Sequence, residues 1–581
     1  MNIFFKNATL ARGEDFRIEV SNLRIEDGLI ADIGTTIQPR DGDEIMDASR
    51  FFITPGFVNT HLHPSHTLSK GITDGMTWAD ERRHLYVLNQ HKSDEDRFWA
   101  SALAYAEAVT SGTTTVSVLT GSLDGERRAA DLIGIRASLS KAYSDVWRGV
   151  GVGPRVSSLL DIENDFVKMR EGYTSDRIEV HLGIALEDVA SPELFLLIKK
   201  LAEQYHVRMS VHTAEHRQGV REFRERHGTH PVLYYRQIGL LGPHLTLIHM
   251  TQIDREDVLA TLAESGTRIA HCPVANAKLA DGILPLRELR RRGIVVGLGT
   301  DASINNNTNN MLSEMHFAAL LHNVRTNQPD FLKPRDVLRM ATIDAARVIG
   351  AEKRIGSLEK GKCADLALFD LRTIGFTPSY DPVSNLVYNA PDIRPRHTLV
   401  NGEFVVKDYR LVTSDLSKII EEVRTRAQKI HQVATTLPRL PKTKKIYLAG
   451  AFTNAQKESI MEFMRKIAAS LPEHGLTPLL PYSMADPTRV TSVSHEDIYE
   501  YDVDLICEAD AIVAYMSEPS HGVGMEIMLA RMQQKPVILV YEKGRTISRM
   551  VLGAVPAANR IEFESEEEAI ARIGEKLQKV L

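Results

Sequence analysis

The chain has 581 residues, 43% of them hydrophobic and 25% charged, with a formal net charge of −6. That length needs two or three globular domains, and the charge excludes a bulk basic surface for nucleic acid. The three cysteines, Cys272, Cys363 and Cys507, are far apart and form no CxxC pair, which excludes a disulfide framework and a cysteine zinc site.

The N-terminal residues turn polar at once, and no stretch is apolar over the length a bilayer demands. A cytoplasmic protein with no membrane partner is the expectation. Residues 1–54 read as short strands separated by Gly and Asp turns. The stretch Pro55-Gly56-Phe57-Val58-Asn59-Thr60-His61-Leu62-His63 then runs an apolar strand into two histidines spaced i, i+2, which share one face of a strand.

From His61 to about Gly350, apolar β segments at 113–118, 178–183, 207–212, 245–249, 267–271 and 294–301 alternate with helical patterns such as 192–204. Such alternation predicts a parallel (β/α)8 TIM barrel over 55–350, with its site on the rim where the strands finish. That rim collects His61, His63, His212, His249 and Asp301, with Glu215 just past His212. Three imidazoles and a carboxylate suit one divalent metal, zinc in the first place, with iron or manganese also open. Any one of these histidines alone reads as an ordinary rim residue; the grouping at several strand ends points to a site.

Residues 351–412 return to β pattern and are expected to join 1–54 in a small composite β-sandwich. A helix and a Pro- and Lys-containing linker occupy 413–443. Residues 444–581 read as a second α/β domain, flavodoxin-like with a parallel sheet. In it, Pro519-Ser520-His521-Gly522-Val523-Gly524-Met525-Glu526 reads as a Gly-bearing loop entering a helix, an arrangement able to hold an anion.

The barrel motifs resemble the amidohydrolase superfamily and, within it, the zinc-dependent aminohydrolases, a branch of nucleobase and nucleoside deaminases and triazine hydrolases. The resemblance spans about 1–412 and rests on the Pro55–His63 stretch, Ser111-Gly112-Thr113-Thr114-Thr115, Gly134-Ile135-Arg136-Ala137, His212-Thr213-Ala214-Glu215, the stretch His271-Cys272-Pro273 to Leu279, and Gly297-Leu298-Gly299-Thr300-Asp301. It implies that His61, His63, His212 and Asp301 hold the metal. It also implies that His249 and Asp301 deprotonate the attacking water, and that Glu215 protonates a ring nitrogen before ammonia leaves. The fourth strand lacks the family's bridging lysine, which implies one metal. Gly183-Ile184-Ala185-Leu186-Glu187 also departs from the Pro-His pair of the adenosine-type relatives and leaves the substrate open. Trp78 is a candidate to stack on the heterocycle, and His66 and His271 are candidate substrate contacts.

The C-terminal motifs Ile446-Tyr447-Leu448-Ala449-Gly450, Ile498-Tyr499-Glu500-Tyr501-Asp502, Glu508-Ala509-Asp510, the Ser520 to Glu526 stretch and Ile547-Ser548-Arg549-Met550 resemble the nucleoside 2-deoxyribosyltransferase family, especially its 2'-deoxynucleoside 5'-phosphate N-hydrolase branch. The resemblance implies a glycosyl-enzyme on Glu526, with Asp502 orienting the sugar or protonating the base. It implies a phosphate cradle of Ser520, Gly522 and Gly524, and a homo-oligomer in which a neighbouring subunit lends Ser548. The stretch 449–456 lacks the arginine usual there, so free nucleosides stay open. The expected function is therefore bifunctional: deamination of a nucleobase, nucleoside or nucleotide in the barrel, and N-glycosidic cleavage or transfer in the tail. Two alternatives stand beside it, a tail that only binds nucleotide and a barrel that hydrolyses a triazine-like ring.

Overall fold

A computed structural model describes residues 2–146, 158–439, 443–451, 457–481 and 494–581. The chain divides into two compact units, Met1–Pro438 and Arg439–Leu581. No helix among the described residues is long and apolar enough to cross a membrane.

In the first unit, eight parallel strands stand in chain order around a barrel: Phe57–Leu62, Thr113–Thr120, Arg136–Tyr143, Ile178–Ile184, Met209–Thr213, Leu245–His249, Arg268–His271 and Val296–Leu298. Most of their residues are buried, polar ones such as Thr113, Thr114 and Thr115 included, because helices cover a parallel sheet and leave it no wet face. The segment expected as one strand over 294–301 pairs only through Val296–Leu298; Gly299, Thr300 and Asp301 leave the ladder and close the barrel instead. There Asp301 N–H donates to the His61 carbonyl at 3.0 Å, Thr300 N–H to Asn59 Oδ1 at 3.0 Å, and Asn59 Nδ2 to Thr300 Oγ1 at 2.7 Å. Two of the sequence motifs are thus each other's partners across the seam between first and last strands.

Strands from both sides of the barrel segment build one nine-stranded sheet. Phe51–Pro55 pairs antiparallel with Leu366–Asp370, which joins the strands before the barrel to those after it. The sheet is tied to the barrel by Arg136, whose Nε and Nη2 donate to the two oxygens of Asp365 at 3.0 and 3.2 Å, with both side chains buried. A fork-on-carboxylate geometry of this kind explains the arginine in the Gly134-Ile135-Arg136-Ala137 motif structurally. The helix Leu416–Thr436 follows. It lays Val423 and Ile430 into a small apolar cluster with Leu68, Leu88 and Ala100, and Arg426 pairs with Asp96 at 3.2 Å.

The second unit carries five parallel strands, in the spatial order Leu476–Leu479, Lys444–Gly450, Ala511–Tyr515, Val537–Glu542, Arg560–Phe563. This is the 2-1-3-4-5 order of flavodoxin-like folds, whose crevice opens at the carboxyl ends of the first and third strands. Separate apolar clusters lie on its two faces. The helix expected after the Gly-bearing loop begins within it, at His521, because Ser520 caps it: Ser520 Oγ accepts from Val523 N–H at 3.3 Å. Much of the stretch 449–456, where an arginine is missing, lies outside the described residues.

Candidate active sites

Barrel strand ends bring His61, His63, His212, His249, Glu215 and Asp301 together, as the sequence predicted. His63 Nδ1 donates to the Leu119 carbonyl, and His212 Nδ1 donates to the Ala185 carbonyl at 2.5 Å. A carbonyl only accepts, so in both rings the proton sits on Nδ1 and Nε2 offers a lone pair. Those Nε2 atoms stand 3.1 Å apart, and His212 Nε2 lies 3.2 Å from His61 Nε2. Asp301 Oδ1 completes the group at 3.3 Å from His61 Nε2 and 3.5 Å from His63 Nε2. The inward lone pairs of His63 and His212, 3.1 Å apart with no proton between them, repel one another unless a cation lies among them. The donor set therefore fits a divalent metal of the zinc type.

The electrostatics agree. Burial, with His63 beside it, pushes His61 down to about 3, and burial with the neighbouring imidazoles holds His212 well below the usual range. Neutral imidazoles are what a cation requires. Burial acts against the Asp301 charge, yet the His61 hydrogen bond and the surrounding His249, His61 and His63 hold its carboxyl well below 3.8. Asn305 Nδ2 donates to its other oxygen, Oδ2, at 3.1 Å. The backbone at Asp301 and His249 is left-handed, with φ of 58° and 73°, a conformation that non-glycine residues keep only where packing enforces it.

Glu215 is the contrasting carboxyl. Burial and the Asp301 charge raise it to about 8, and its Oε1 lies 3.4 Å from His249 Nε2. His249 is oriented from behind by Asn276, whose Nδ2 is 3.1 Å from Nδ1. A cavity of about 340 Å³ opens over this group, walled among others by His66, Trp78, Glu81, Glu215 and Asn305.

Of the candidate substrate contacts Trp78 and His271, the first lines the cavity and the second does not. Trp78 does line the cavity, but its ring already stacks on His216 at 5.2 Å and carries the Arg82 guanidinium at 4.4 Å. It is a braced wall rather than a free stacking platform. His271 does not line the cavity: it is fully buried, with Nε2 3.0 Å from His322 Nε2. His66 does reach the cavity, stacked on His63 with centroids 5.3 Å apart. Sequence reasoning missed Glu81, Asn276 and Asn305. Only Asn305, four residues past Asp301 in a short helix, carried a spacing signal.

In the second unit, Glu526 Oε1 accepts from Tyr447 OH at 2.9 Å, while Glu526 Oε2 and Asp502 Oδ1 are buried without a hydrogen bond. Burial raises Asp502 to about 7; burial and the Asp502 charge raise Glu526 to about 8. Tyr447 was not singled out from the sequence, although strand alternation puts it and Ala449 on one face. The residues expected to cradle a phosphate stand at a helix N-terminus. Gly522 and Gly524 lie in the helix's first turn rather than in a loop, Gly524 N–H is spent on the Ser520 carbonyl at 3.2 Å, and Ser520 Oγ is spent as the cap. Ser548 caps the helix Arg549–Ala554 by accepting from Met550 N–H at 3.3 Å.

The profile of the amidohydrolase family matches residues 52–405, and that of nucleoside 2-deoxyribosyltransferase matches residues 446–570. The 5'-deoxyadenosine deaminase of Methanopyrus kandleri is 35% identical over 405 residues, 68% of this chain and 91% of that protein. The 5-methylthioadenosine/S-adenosylhomocysteine deaminase of Syntrophomonas wolfei is 30% identical over 437 residues, 74% of this chain and 99% of that protein. Among solved structures, an adenosine deaminase from Xanthomonas campestris with bound zinc superposes with a TM-score of 0.69 at 24% identity, over 75% of this chain and 99% of that one. The zinc complex of the atrazine chlorohydrolase TrzN from Arthrobacter aurescens gives 0.68 at 22% identity, over 73% of this chain and 100% of that one. At these identities the solved structures speak for the fold.

Proposed function

The chain belongs to the amidohydrolase family, and from that premise we propose that its barrel is a metal-dependent deaminase of an adenosine-type substrate. The observation that carries the reading is the pairing of opposite carboxyls, Asp301 held ionised and Glu215 raised to about 8 on either side of convergent imidazole lone pairs. The names of the relatives supply the substrate type. His61, His63, His212 and Asp301 would hold a divalent cation, zinc in the first place, which supplies Lewis-acid polarisation and makes water more acidic. Glu215, protonated at neutral pH, donates to a ring nitrogen and makes the adjacent amino-bearing carbon electrophilic. Asp301, with His249 beside it, takes one proton of the attacking water and passes it to the leaving amine; as ammonia departs, the hydroxyl's remaining proton returns to Glu215 and a carbonyl is left. Walls such as Trp78 and Leu186 limit bulk water around the ring.

For the second unit we propose N-glycosidic cleavage or transfer, with Glu526 attacking the anomeric carbon and Asp502 protonating the departing base. Two raised carboxyls at the crevice of a 2-1-3-4-5 sheet, and the family match over 446–570, support it. The assembly in this reading is a cytoplasmic homo-oligomer.

Mass spectrometry of products from adenine bases, nucleosides and 5'-monophosphates tests both units together. Ammonia loss with a one-unit mass gain, abolished by Asp301→Asn, is expected from the barrel. Free base, abolished by Glu526→Ala, is expected from the tail. Deamination without free base from any substrate would leave the tail as a binding module, and no mass change across the panel would sink the deaminase reading.

A further inference from the structure

Four consecutive residues, Ala185 to Asp188, follow the strand Ile178–Ile184, and each holds a different part of the barrel site. The Ala185 carbonyl accepts from His212 Nδ1, and Leu186 walls the cavity. Asp188 Oδ2 accepts from Arg82 Nη1 at 3.0 Å, and that guanidinium lies over Trp78. Glu187 reaches across to the next strand end: both its oxygens accept from Ala214 N–H, Oε1 at 3.3 Å and Oε2 at 3.1 Å. The first three contacts serve groups described above. The fourth has no part in that chemistry. It nevertheless occupies a carboxyl that is only 6% exposed, and carboxyls are almost never so buried unless paired.

What Glu187 holds is an unfavourable turn. Ala214 has a φ of 48°, in the left-handed region where a Cβ crowds the backbone. It stands directly after the strand Met209–Thr213 and directly before Glu215, so its dihedrals set the direction in which the acid leaves the strand. Its carbonyl accepts from Gln252 N–H at 3.0 Å, and the Glu215 carbonyl accepts from Thr251 Oγ1 at 2.6 Å. On the N–H side Glu187 is the holder. Ala214 is fully buried, so an N–H swung away from Glu187 would lose its partner out of reach of water.

We propose that Glu187 is a positioning residue for the barrel reaction: its grip on Ala214 N–H keeps the left-handed turn that points Glu215 at the substrate ring. The proposal rests on the deaminase reading. Glu187 does not line the large cavity, so it acts through Ala214 rather than on the substrate. Burial, opposed by the Ala214 hydrogen bond, raises its carboxyl to about 8. A neutral acid accepts here through a carbonyl oxygen, which glutamine also carries, and glycine at 214 would adopt the turn without help.

Steady-state deamination of the best substrate in the product panel tests this with the zinc-loaded full chain, in wild type, Glu187→Ala, Glu187→Gln, Ala214→Gly and the double variant Glu187→Ala with Ala214→Gly. Glu187→Ala should cut kcat about 10- to 100-fold while KM moves less than about threefold. Its bound zinc, read by elemental analysis, should stay at the wild-type level. Glu187→Gln should stay within about threefold of wild type, and Ala214→Gly should restore most of the kcat lost by Glu187→Ala. Unchanged turnover in Glu187→Ala overturns the proposal, and so does the failure of either rescue. Loss of zinc, or a KM rise without a kcat fall, overturns it as well, because a loosened loop rather than a misdirected acid would be at work. Should Glu187→Ala fail to fold, Glu187→Asp, one methylene short of Ala214, takes its place. If no substrate of the wild type releases ammonia, the deaminase reading itself has failed. The grip is then judged by thermal unfolding: Ala214→Gly should cost fewer degrees in the Glu187→Ala background than in wild type, and equal costs remove it.

Discussion

A single proton decides what each titratable side chain in the barrel can do. Carbonyls at Leu119 and Ala185 fix the protons of His63 and His212 on the outward nitrogens, which leaves the inward nitrogens as ligands. Glu215 is set apart from Asp301 by its surroundings: Asp301 has His61, His63 and His249 about it and stays ionised, while burial and that Asp301 charge keep the proton on Glu215, which meets His249 at 3.4 Å. Glu215→Gln keeps the shape and removes the transferable proton. It should retain the bound metal, read by elemental analysis, while kcat for ammonia release falls about 10²- to 10⁴-fold; unchanged turnover would remove Glu215 from the chemistry.

The second unit permits a signed pH test. In the proposed reading Asp502 must keep the proton it gives the base, so base release should fall as its carboxyl, at about 7, ionises, while Glu526 must ionise to attack, which adds a limb that rises with pH through about 8. Tyr447 donates to the ionised form, so Tyr447→Phe should move that limb to higher pH; Asp502→Asn removes the neighbouring charge and should move it lower. Stability follows the same logic. Asp502 is raised from 3.8 to about 7, so the folded state holds its proton more tightly, and the associated stability is present below the unfolded value and lost as pH rises through 7. Asp502→Asn should therefore gain about 1–3 kcal/mol over wild type between pH 4 and pH 8 in urea unfolding of this unit.

At the scale of elements, the seam between first and last barrel strands is the part on which the site depends most directly. Gly299 packs against the His61 backbone: a Cβ there would stand 2.8 Å from His61 N and 3.0 Å from its Cβ. Gly299→Ala must push the closing segment away from the first strand, which carries Asp301 away from His61. The expected result is a loss of about 1–3 kcal/mol of stability together with a lowered zinc content, measured by thermal unfolding and elemental analysis; a fully loaded variant would show that the seam tolerates the shift. Gly112, at φ 95°, serves a different need by turning the helix Asp94–Thr110 into the second strand. Both glycines were visible in the sequence as parts of motifs, and so were the ligand-bearing strand ends, because apolar runs ending in His or Asp carry their own signal. What escaped the sequence was pairing across elements. That Asn59 meets Thr300, that Arg136 meets Asp365, or that Tyr447 meets Glu526 depends on residues tens to hundreds of positions apart. The early start of the helix at His521 escaped for a local reason: a serine cap can draw two glycines into a first turn despite their poor helix propensity.

At the scale of the whole chain, the two units keep separate cores: the first has a large barrel cluster with smaller ones beside it, one of them in the composite sheet, and the second has one on each face of its sheet. The helix Leu416–Thr436 belongs with the first, since it buries Ile419, Val423 and Ile430 there. The sequence placed a helix here without naming the surface that it covers. Metal linkage should therefore act on one unit alone. A cation that binds only the folded barrel stabilises it by about 4 kcal/mol at a thousandfold excess over its Kd, and nothing in the second unit's paired carboxyls requires one. Calorimetric unfolding of the full chain should show two transitions, and a chelator should lower the one that belongs to residues 1–438 while the other stays in place. A single transition, displaced whole by the chelator, would mean that the units unfold together and that metal bound in the barrel stabilises the second unit as well.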